Sequence, residues 1–246
     1  MKINDDLYAL PLAVTMARGP STLFLSLIPD PDEGATLVDA CIPGKLETIE
    51  RALSEAGVRL ADVGRVILTH HDLDHIGSLA DVVAASHAQV LAHEAEVPYI
   101  DGRRPPQKSR TPEQMKAMLA QMPPEMQRML TTPVKPVEVD TALHDGDRLD
   151  LGGGVLVVAT PGHTVGHASL YLERSRTIIA GDALTAADGR LAGPSVQATA
   201  DMVTARASVV RLAELEVRAI VCYHGGLVTD DAGGQLRRLA AELGAG

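Results

Sequence analysis

The sequence predicts a layered α/β fold, and three observations support this prediction. Short apolar runs rich in Val, Ile and Leu, each bounded by turn residues, have the length and composition of buried strands. Stretches with helical periodicity lie between these runs, and such alternation is typical of sheets covered by helices. The 246 residues are enough for one large core, and the sequence contains no run of about 20 apolar residues that could span a bilayer. We therefore expect a single domain over residues 1–246.

Each predicted element can be placed along the chain. The predicted strands are ATLVDA, RVILTH, AQVLAH, GVLVVAT, ASLYL, RTIIAGD and RAIVCYH. The predicted helices cover residues 46–56, 75–86, 201–215 and 232–243. No internal repeat or low-complexity segment interrupts this order.

Residues 98–136, the Met-rich segment, depart from the alternating pattern. Five methionines recur there at spacings of three and four, which places them on one helical face: Met115, Met118, Met122, Met126 and Met129. A break is expected at Pro123 and Pro124. We interpret the segment as a helical insertion within the domain. Three roles stay open for it: a helix pair packed on the core, a lid, or a homodimer contact.

Composition and charge limit the partners of the protein. A net charge of −10 argues against binding to nucleic acid or to an anionic membrane. The one dense basic cluster, Arg103, Arg104, Lys108 and Arg110, is interpreted as a solvated loop. The start, MKINDDLYALPL, is acidic where a signal peptide would be basic, and Cys41 and Cys222 form no CxxC motif. We expect a soluble cytoplasmic protein that acts on a small molecule.

The stretch RVILTHHDLDHIGSL carries the most informative motif. His70 and Asp72 follow a predicted strand two residues apart, so both side chains can point to the same side. Asp74 and His75 follow at the start of a predicted helix. Four imidazole or carboxylate groups within six residues suit a divalent cation.

Three later strands end in the same kinds of side chain. His163 follows GVLVVAT in a Gly-rich turn, Asp182 follows TIIAG, and His224 follows AIVCY. The carboxyl ends of strands are where the ligand sites of α/β sheets gather. These residues are therefore candidates for the same site.

The joint pattern resembles the signature of the metallo-β-lactamase superfamily. It consists of TH-x-D-x-DH-x-G, then TPGHTVGH, then GD and finally HGG, and it extends from Asp39 to His224. The resemblance implies an αββα sandwich with two divalent metal ions, Zn, Mn or Fe, at one edge. It implies that His70, Asp72 and His163 hold one ion and that Asp74, His75 and His224 hold the other. Asp182 would bridge both ions, and Asp39 would orient a ligand or the following helix.

Asp72 departs from the family pattern, which usually has His at this position. His71 is a competing ligand, but its side chain should point away from those of its neighbours. With Asp72 as ligand, three carboxylates and a bridging hydroxide neutralise two divalent ions, which should favour Mn or Fe relative to Zn. His167, four residues after His163, is expected to be a supporting residue.

The resemblance implies hydrolysis of an ester-like bond: a lactone, a thioester or a simple ester. A hydroxide that bridges the ions would attack the carbonyl carbon, and Asp74 or Asp182 would move the proton. Length and the bridging aspartate favour a lactonase of the acyl-homoserine-lactone type, although Thr185 stands near where such lactonases typically have Tyr. A glyoxalase II-like thioesterase is the alternative, although only 22 residues follow His224. A diiron oxidoreductase-like protein and a non-catalytic metal-binding protein are the alternatives from other classes.

Overall fold

Two β-sheets lie face to face, and helices cover both outer faces. The computed structural model that shows this describes residues 1–16, 19–30, 33–109 and 111–244, without the side chains of Glu125 and Met129. The order of the layers is helix, sheet, sheet, helix, which is the predicted αββα sandwich.

The first sheet has seven strands in the described residues, arranged in chain order. The strands are β1 (Lys2–Asn4), β2 (Leu7–Met16), β3 (Gly19–Ile28), β4 (Ala35–Val38), β5 (Val63–Leu68), β6 (Gln89–His93) and β7 (Thr141–Leu143). Strands β1 to β4 pair antiparallel, whereas β4 to β7 pair parallel. The parallel strands β4, β5 and β6 therefore bring their carboxyl ends to one edge.

The second sheet contains six strands of the described chain, in the order β15-β14-β11-β10-β9-β8. Their bounds are β8 (Arg148–Leu149), β9 (Val155–Ala159), β10 (Ala168–Leu172), β11 (Thr177–Ile179), β14 (Ala219–Cys222) and β15 (Gly226–Val228). A separate hairpin is formed by β12 (Thr185–Ala187) and β13 (Arg190–Ala192). Only β11 and β14 pair parallel in this sheet among the described strands.

The helices lie between these strands in sequence. They are α1 (Leu46–Glu55), α2 (Leu73–Ile76), α3 (Leu79–Ser86), α4 (Val97–Ile100), α5 (Pro112–Leu119), α6 (Pro124–Thr131), α7 (Met202–Leu212) and α8 (Ala232–Gly244). Helices α1 and α3 pack on the first sheet, and α7 and α8 pack on the second. Among the described residues, no helix is both long and apolar enough to cross a membrane.

A dry apolar layer joins the two sheets. Ile67 and Leu91 of the first sheet pack there with Val157, Leu170 and Val221 of the second, and all five are buried. Burial of aliphatic side chains such as these stabilises the fold by about 1.5–3 kcal/mol each. The apolar runs of the sequence therefore become strands because their side chains are buried on both faces.

The predicted helix 75–86 is two helices, α2 and α3. Ser78 separates them, and its hydroxyl donates to the Ile42 carbonyl and accepts from the Lys45 N–H. Gly77 is required beside it, because a Cβ there would lie 2.3 Å from the Pro43 backbone nitrogen. The loop 42–45 therefore lies directly against the turn that carries Asp74 and His75.

The two longest strands, β2 and β3, are not among the predicted strands. Residues 7–16 contain Pro11, which argues against a strand in the interior of a sheet. However, β1 pairs only with the first residues of β2, so β2 is the sheet edge at Pro11, where a proline is tolerated. The Met-rich segment forms α5 and α6, each with a proline as its first residue, and the break lies between them as expected.

Candidate metal centre

Ligand-type side chains of both sheets meet at one edge of the sandwich. His70 and Asp72 follow β5, Asp74 and His75 lie in α2, His163 lies between β9 and β10, Asp182 follows β11, and His224 follows β14. The structure thus brings together all seven candidate ligands of the sequence analysis. His70, His75, His163 and Asp182 are buried, whereas Asp72, Asp74 and His224 are partly exposed.

One group of side chains could hold a cation, at what we call the first position. His70, His163 and Asp182 offer ligand atoms that all lie within 4.8 Å of one another. Asp72 joins them, because its Oδ2 lies 2.9 Å from His163 Nε2 and 3.4 Å from His70 Nε2. Asp182 Oδ2 is 3.3 Å from His163 Nε2. Two imidazole nitrogens and two carboxylates therefore face the first position.

A second group of side chains could hold a cation beside the first, at what we call the second position. Asp74, His75 and His224 also offer ligand atoms within 4.8 Å of one another, and His224 Nε2 is 3.2 Å from Asp74 Oδ2. Asp182 reaches this group as well, since its Oδ1 is 3.4 Å from His75 Nε2 and its Oδ2 is 3.6 Å from His224 Nε2. Asp182 thus lies between the two positions.

Three buried atoms show that this donor set fits metal ions. Among the described residues, His70 Nε2, His75 Nε2 and Asp182 Oδ1 have no hydrogen-bond partner, although they are fully buried. A buried polar atom without a partner costs about 1–3 kcal/mol. Imidazole nitrogen and carboxylate oxygen are the ligands that borderline divalent cations take, so a bound ion would satisfy all three atoms.

The electrostatics of the cluster favour a bound cation. Burial raises the pKa of the Asp182 carboxyl, but the charge of His75 outweighs burial and brings that pKa well below its usual range. At His75, burial lowers the pKa, but the charges of Asp39 and Asp182 raise it well above the usual value. Both shifts reflect the attraction between the Asp182 carboxylate and the imidazole of His75. Positive charge is therefore stabilised there.

Asp39 orients His75 from behind. Its Oδ2 lies 2.9 Å from His75 Nδ1, and its carboxylate also accepts from the N–H and hydroxyl of Thr69. With Nδ1 bonded in this way, the other ring nitrogen of His75 faces Asp182. Asp39 has a backbone φ of 65°, a left-handed conformation that is uncommon outside glycine. The backbone therefore turns sharply at Asp39, and this turn directs the Asp39 carboxylate to His75.

His167 supports Asp182 and is not placed to be a ligand. Its Nε2 accepts from the Asp182 N–H at 2.9 Å, so its Nδ1 carries the proton and donates to Thr160 Oγ1. Burial and the charge of His163 lower the pKa of His167 to about 3, which keeps the ring neutral. Gly181 makes room for this ring, because a Cβ there would lie 2.6 Å from His167 Nε2.

A buried glutamate that the sequence analysis missed joins two ligand-bearing loops. Glu96 accepts from the His71 N–H at 2.8 Å, and it also pairs with His71 Nδ1. Its second oxygen accepts from Thr164 Oγ1 at 2.8 Å and from the Gly166 N–H at 2.7 Å. His71 therefore points away from the cation positions and toward Glu96. In the sequence, Glu96 lies three residues after a predicted strand, and no motif surrounds it.

Lys108 also belongs to the site. Its ammonium forms an ion pair with Asp72 and lies 2.9 Å from both His163 Nε2 and the Ala198 carbonyl oxygen. The interpretation of the basic cluster as a solvated loop is wrong for Lys108, because its side chain is only 25% exposed. Arg110 lies outside the described residues. The sequence of the basic cluster does not predict these contacts, because Asp72 and His163 lie 36 and 55 positions from Lys108.

A pocket of about 990 Å³ lies next to the centre and is lined by two of the candidate ligands, Asp72 and Asp74. Its apolar walls come from α4, α5, α6 and the chain that follows: Tyr99, Ile100, Met115, Met118, Leu130 and Val134. Asp72, Asp74 and Lys108 line the polar end. Of the four methionines of the Met-rich segment whose side chains are described, Met115 and Met118 line this pocket, whereas Met126 is buried elsewhere.

A sequence profile of the metallo-beta-lactamase superfamily matches residues 21–224. The chain belongs to this superfamily. The matched range includes every candidate ligand, and members of the superfamily typically bind divalent metal ions at this edge of the sandwich. Curated relatives include probable metallo-hydrolases and hydroxyacylglutathione hydrolases, so the protein is a metallo-hydrolase.

Individual relatives within the superfamily are distant. A probable metallo-hydrolase of Bacillus subtilis, YflN, is 28% identical over 83% of this chain and 80% of its own length. A hydroxyacylglutathione hydrolase of Ruegeria pomeroyi is 30% identical over 87% of this chain, but only 66% of its own length is matched. The solved structure of the metallo-beta-lactamase family protein TTHA1429 of Thermus thermophilus has a TM-score of 0.75 and 26% identity, over 99% of this chain and 80% of that one. These likenesses support the fold and the class of reaction.

Proposed function

We propose that the protein hydrolyses an ester-like bond, a lactone, thioester or ester, in substrates with an apolar acyl chain. One observation carries this proposal: a pocket with mainly apolar walls reaches Asp72 and Asp74, which lie beside the partnerless buried ligand atoms of the centre. A small polar centre at the end of an apolar cleft is typical of a site that binds an acyl group and reacts at its carbonyl end.

The proposed cofactor is a pair of divalent cations, one at each position. His70, Asp72 and His163 would hold one, and Asp74, His75 and His224 would hold the other, with Asp182 shared. Bound divalent ions supply Lewis-acid polarisation of a carbonyl oxygen and make a coordinated water more acidic. Because Asp72 adds a third carboxylate, the harder ions Mn and Fe should bind better relative to Zn than at a two-carboxylate site.

Asp74 is the proposed proton carrier. Its side chain lines the pocket and is 21% exposed, whereas that of Asp182 is 9% exposed and faces both cation positions. A carboxylate at the pocket floor can accept a proton from the attacking water at Oδ2 and release it to the leaving alkoxide or thiolate. The partly exposed position of Asp74 also lets its proton exchange with solvent.

The acyl part of the substrate would lie along the Met-rich segment. Met115 and Met118 line the pocket, and unbranched thioether side chains adapt to ligands of different shape. A lactone with an acyl chain fits this arrangement. A thioester of the kind named for the hydroxyacylglutathione hydrolase relatives fits the same carbonyl chemistry.

The test begins with protein purified without added metal. Metal content is measured, the ions are removed, and Zn, Mn or Fe is restored before assays on lactone, thioester, phosphodiester and lactam substrates. We expect metal-dependent hydrolysis of a lactone or thioester, and a loss of at least about 10²-fold in kcat for Asp74→Asn. Asp81→Asn, an exposed carboxylate of α3, is the matched control. Activity that is confined to phosphodiesters or lactams, or that is independent of metal, contradicts the proposal.

A further inference from the structure

Lys108 contacts two of the atoms that define the first cation position. Its ammonium nitrogen pairs with Asp72 Oδ2 and lies 2.9 Å from His163 Nε2, while the Ala198 carbonyl oxygen accepts a third contact at 2.9 Å. A divalent ion at the first position needs the same carboxylate oxygen and the same imidazole nitrogen. The ammonium and an ion therefore cannot use these two atoms at the same time.

The residue that precedes this lysine, Gln107, is held to the site. The Gln107 N–H donates to His71 Nε2 at 3.2 Å, and the Gln107 side chain accepts from the Val165 N–H at 2.8 Å. Residues 107 and 108 thus contact the His70–Asp72 loop and the loop that carries His163. These contacts of Gln107 help to hold the Lys108 ammonium beside the first position.

In the described part of the chain, no lysine or arginine forms an ion pair at the second position. None of the described contacts of Lys108 reaches Asp74, His75 or His224. The charges agree with this asymmetry, because one divalent ion together with one ammonium balances the carboxylates of Asp72, Asp74 and Asp182. Two divalent ions with the ammonium still beside them would leave an excess of positive charge before any hydroxide binds.

We propose that Lys108 sets the metal stoichiometry of the centre: its ammonium competes with the ion at the first position and leaves the second position as the tight one. This inference rests on the proposed metal-dependent function and adds a determinant supplied by the Met-rich segment. Entry of an ion at the first position requires the ammonium to leave Asp72 and His163, so occupancy of that position is linked to the placement of residues 107 and 108.

The experiment is a titration of metal-free protein with Co²⁺, followed by visible absorption and by direct metal analysis. For the wild type we expect one tight equivalent and a second that binds at least about tenfold more weakly. Lys108→Met and Lys108→Gln should bind the second equivalent at least about tenfold more tightly than the wild type. Lys108→Arg, which keeps the charge, should resemble the wild type. Arg104→Met removes an exposed cation that lines the same pocket, and it should also leave the titration unchanged.

The outcomes separate the two proposals. Two equally tight equivalents in the wild type, or identical titrations for wild type, Lys108→Met and Lys108→Gln, overturn the role of Lys108 while metal-dependent hydrolysis stands. No Co²⁺ binding by any variant overturns both. If one neutral variant fails to fold, as judged by its melting curve, the other gives the comparison.

Discussion

At the scale of single residues, the centre depends on side chains that hold ligands without being ligands. Asp39 fixes His75, His167 fixes the backbone of Asp182, and Glu96 joins two loops that carry ligands. Each acts through hydrogen bonds to a group that is buried. Because water cannot replace a lost partner there, removal of one acceptor affects both stability and ligand placement.

Glu96→Gln should lower the free energy of unfolding by about 1–3 kcal/mol, because the amide offers a donor to groups that themselves donate. It should also weaken metal binding, since His163 lies in the loop that Glu96 holds through Thr164 and Gly166. Denaturant unfolding and a chelator competition measure the two effects. Glu94→Gln, an exposed glutamate two residues earlier, is the control. Equal metal affinity in wild type and Glu96→Gln would limit Glu96 to a role in stability.

The ligand positions could be predicted from the sequence, whereas their supports could not. His70, Asp182 and His224 each follow an apolar strand, and strand ends meet at a sheet edge whatever the exact packing. Glu96 lies 70 residues from its partner Gly166, and Lys108 lies 55 residues from its partner His163. Such pairs are determined by how the loops pack, and no local pattern marks them.

At the scale of elements, the Met-rich segment forms the wall of the pocket. Helix α5 begins with a capping box in which Thr111 and Gln114 satisfy each other's backbone N–H groups, so its start is well defined without burial. The helix has no fully buried residue, yet Met115 and Met118 face the pocket. This arrangement favours the lid among the three roles left open by the sequence.

The double change Met115→Ser and Met118→Ser should reduce the advantage of long acyl substrates over short ones. Each CH₂ that loses apolar contact loses up to about 0.8 kcal/mol, so the preference should fall by about tenfold over two or three carbons. A chain-length series of kcat/KM values measures this effect. Met122→Ser, a change in the same segment but outside the pocket lining, is the control.

Melting curves and a sizing run identify the other two roles. If the methionines mainly support the core, the double variant melts earlier and all substrates are affected alike. If they form a homodimer contact, the mass in solution changes first. An unchanged chain-length profile would contradict the lid.

At the scale of the whole molecule, the centre joins the two sheets. The ligands from His70 to His75 follow a strand of the first sheet, whereas His163, Asp182 and His224 follow strands of the second. A bridge between Leu23 and His224 and a hydrogen bond from the Phe24 N–H to the Tyr223 carbonyl also cross between the sheets. Bound ions should therefore stabilise the packing of one sheet against the other.

Removal of metal should lower the melting temperature by roughly 5–10 °C, which corresponds to about 2.7 kcal/mol for one ion at a concentration of 100 Kd. Calorimetry with and without a chelator measures the difference. Asp182→Asn weakens a ligand shared by both positions, so in that variant the difference should shrink. A melting temperature that does not respond to metal in the wild type would contradict a stabilising link between the sheets.

The contribution of ligands by both sheets also sets the order in which the site can be assembled. During synthesis the first sheet and its four ligands precede the second sheet, and His224 emerges after all the other ligands. A nascent chain that has passed Asp182 can offer all the ligands of the first position, but the second position lacks the imidazole of His224 until the chain has passed β14. A complete set of ligands is therefore available only late in synthesis, after β14 has been made.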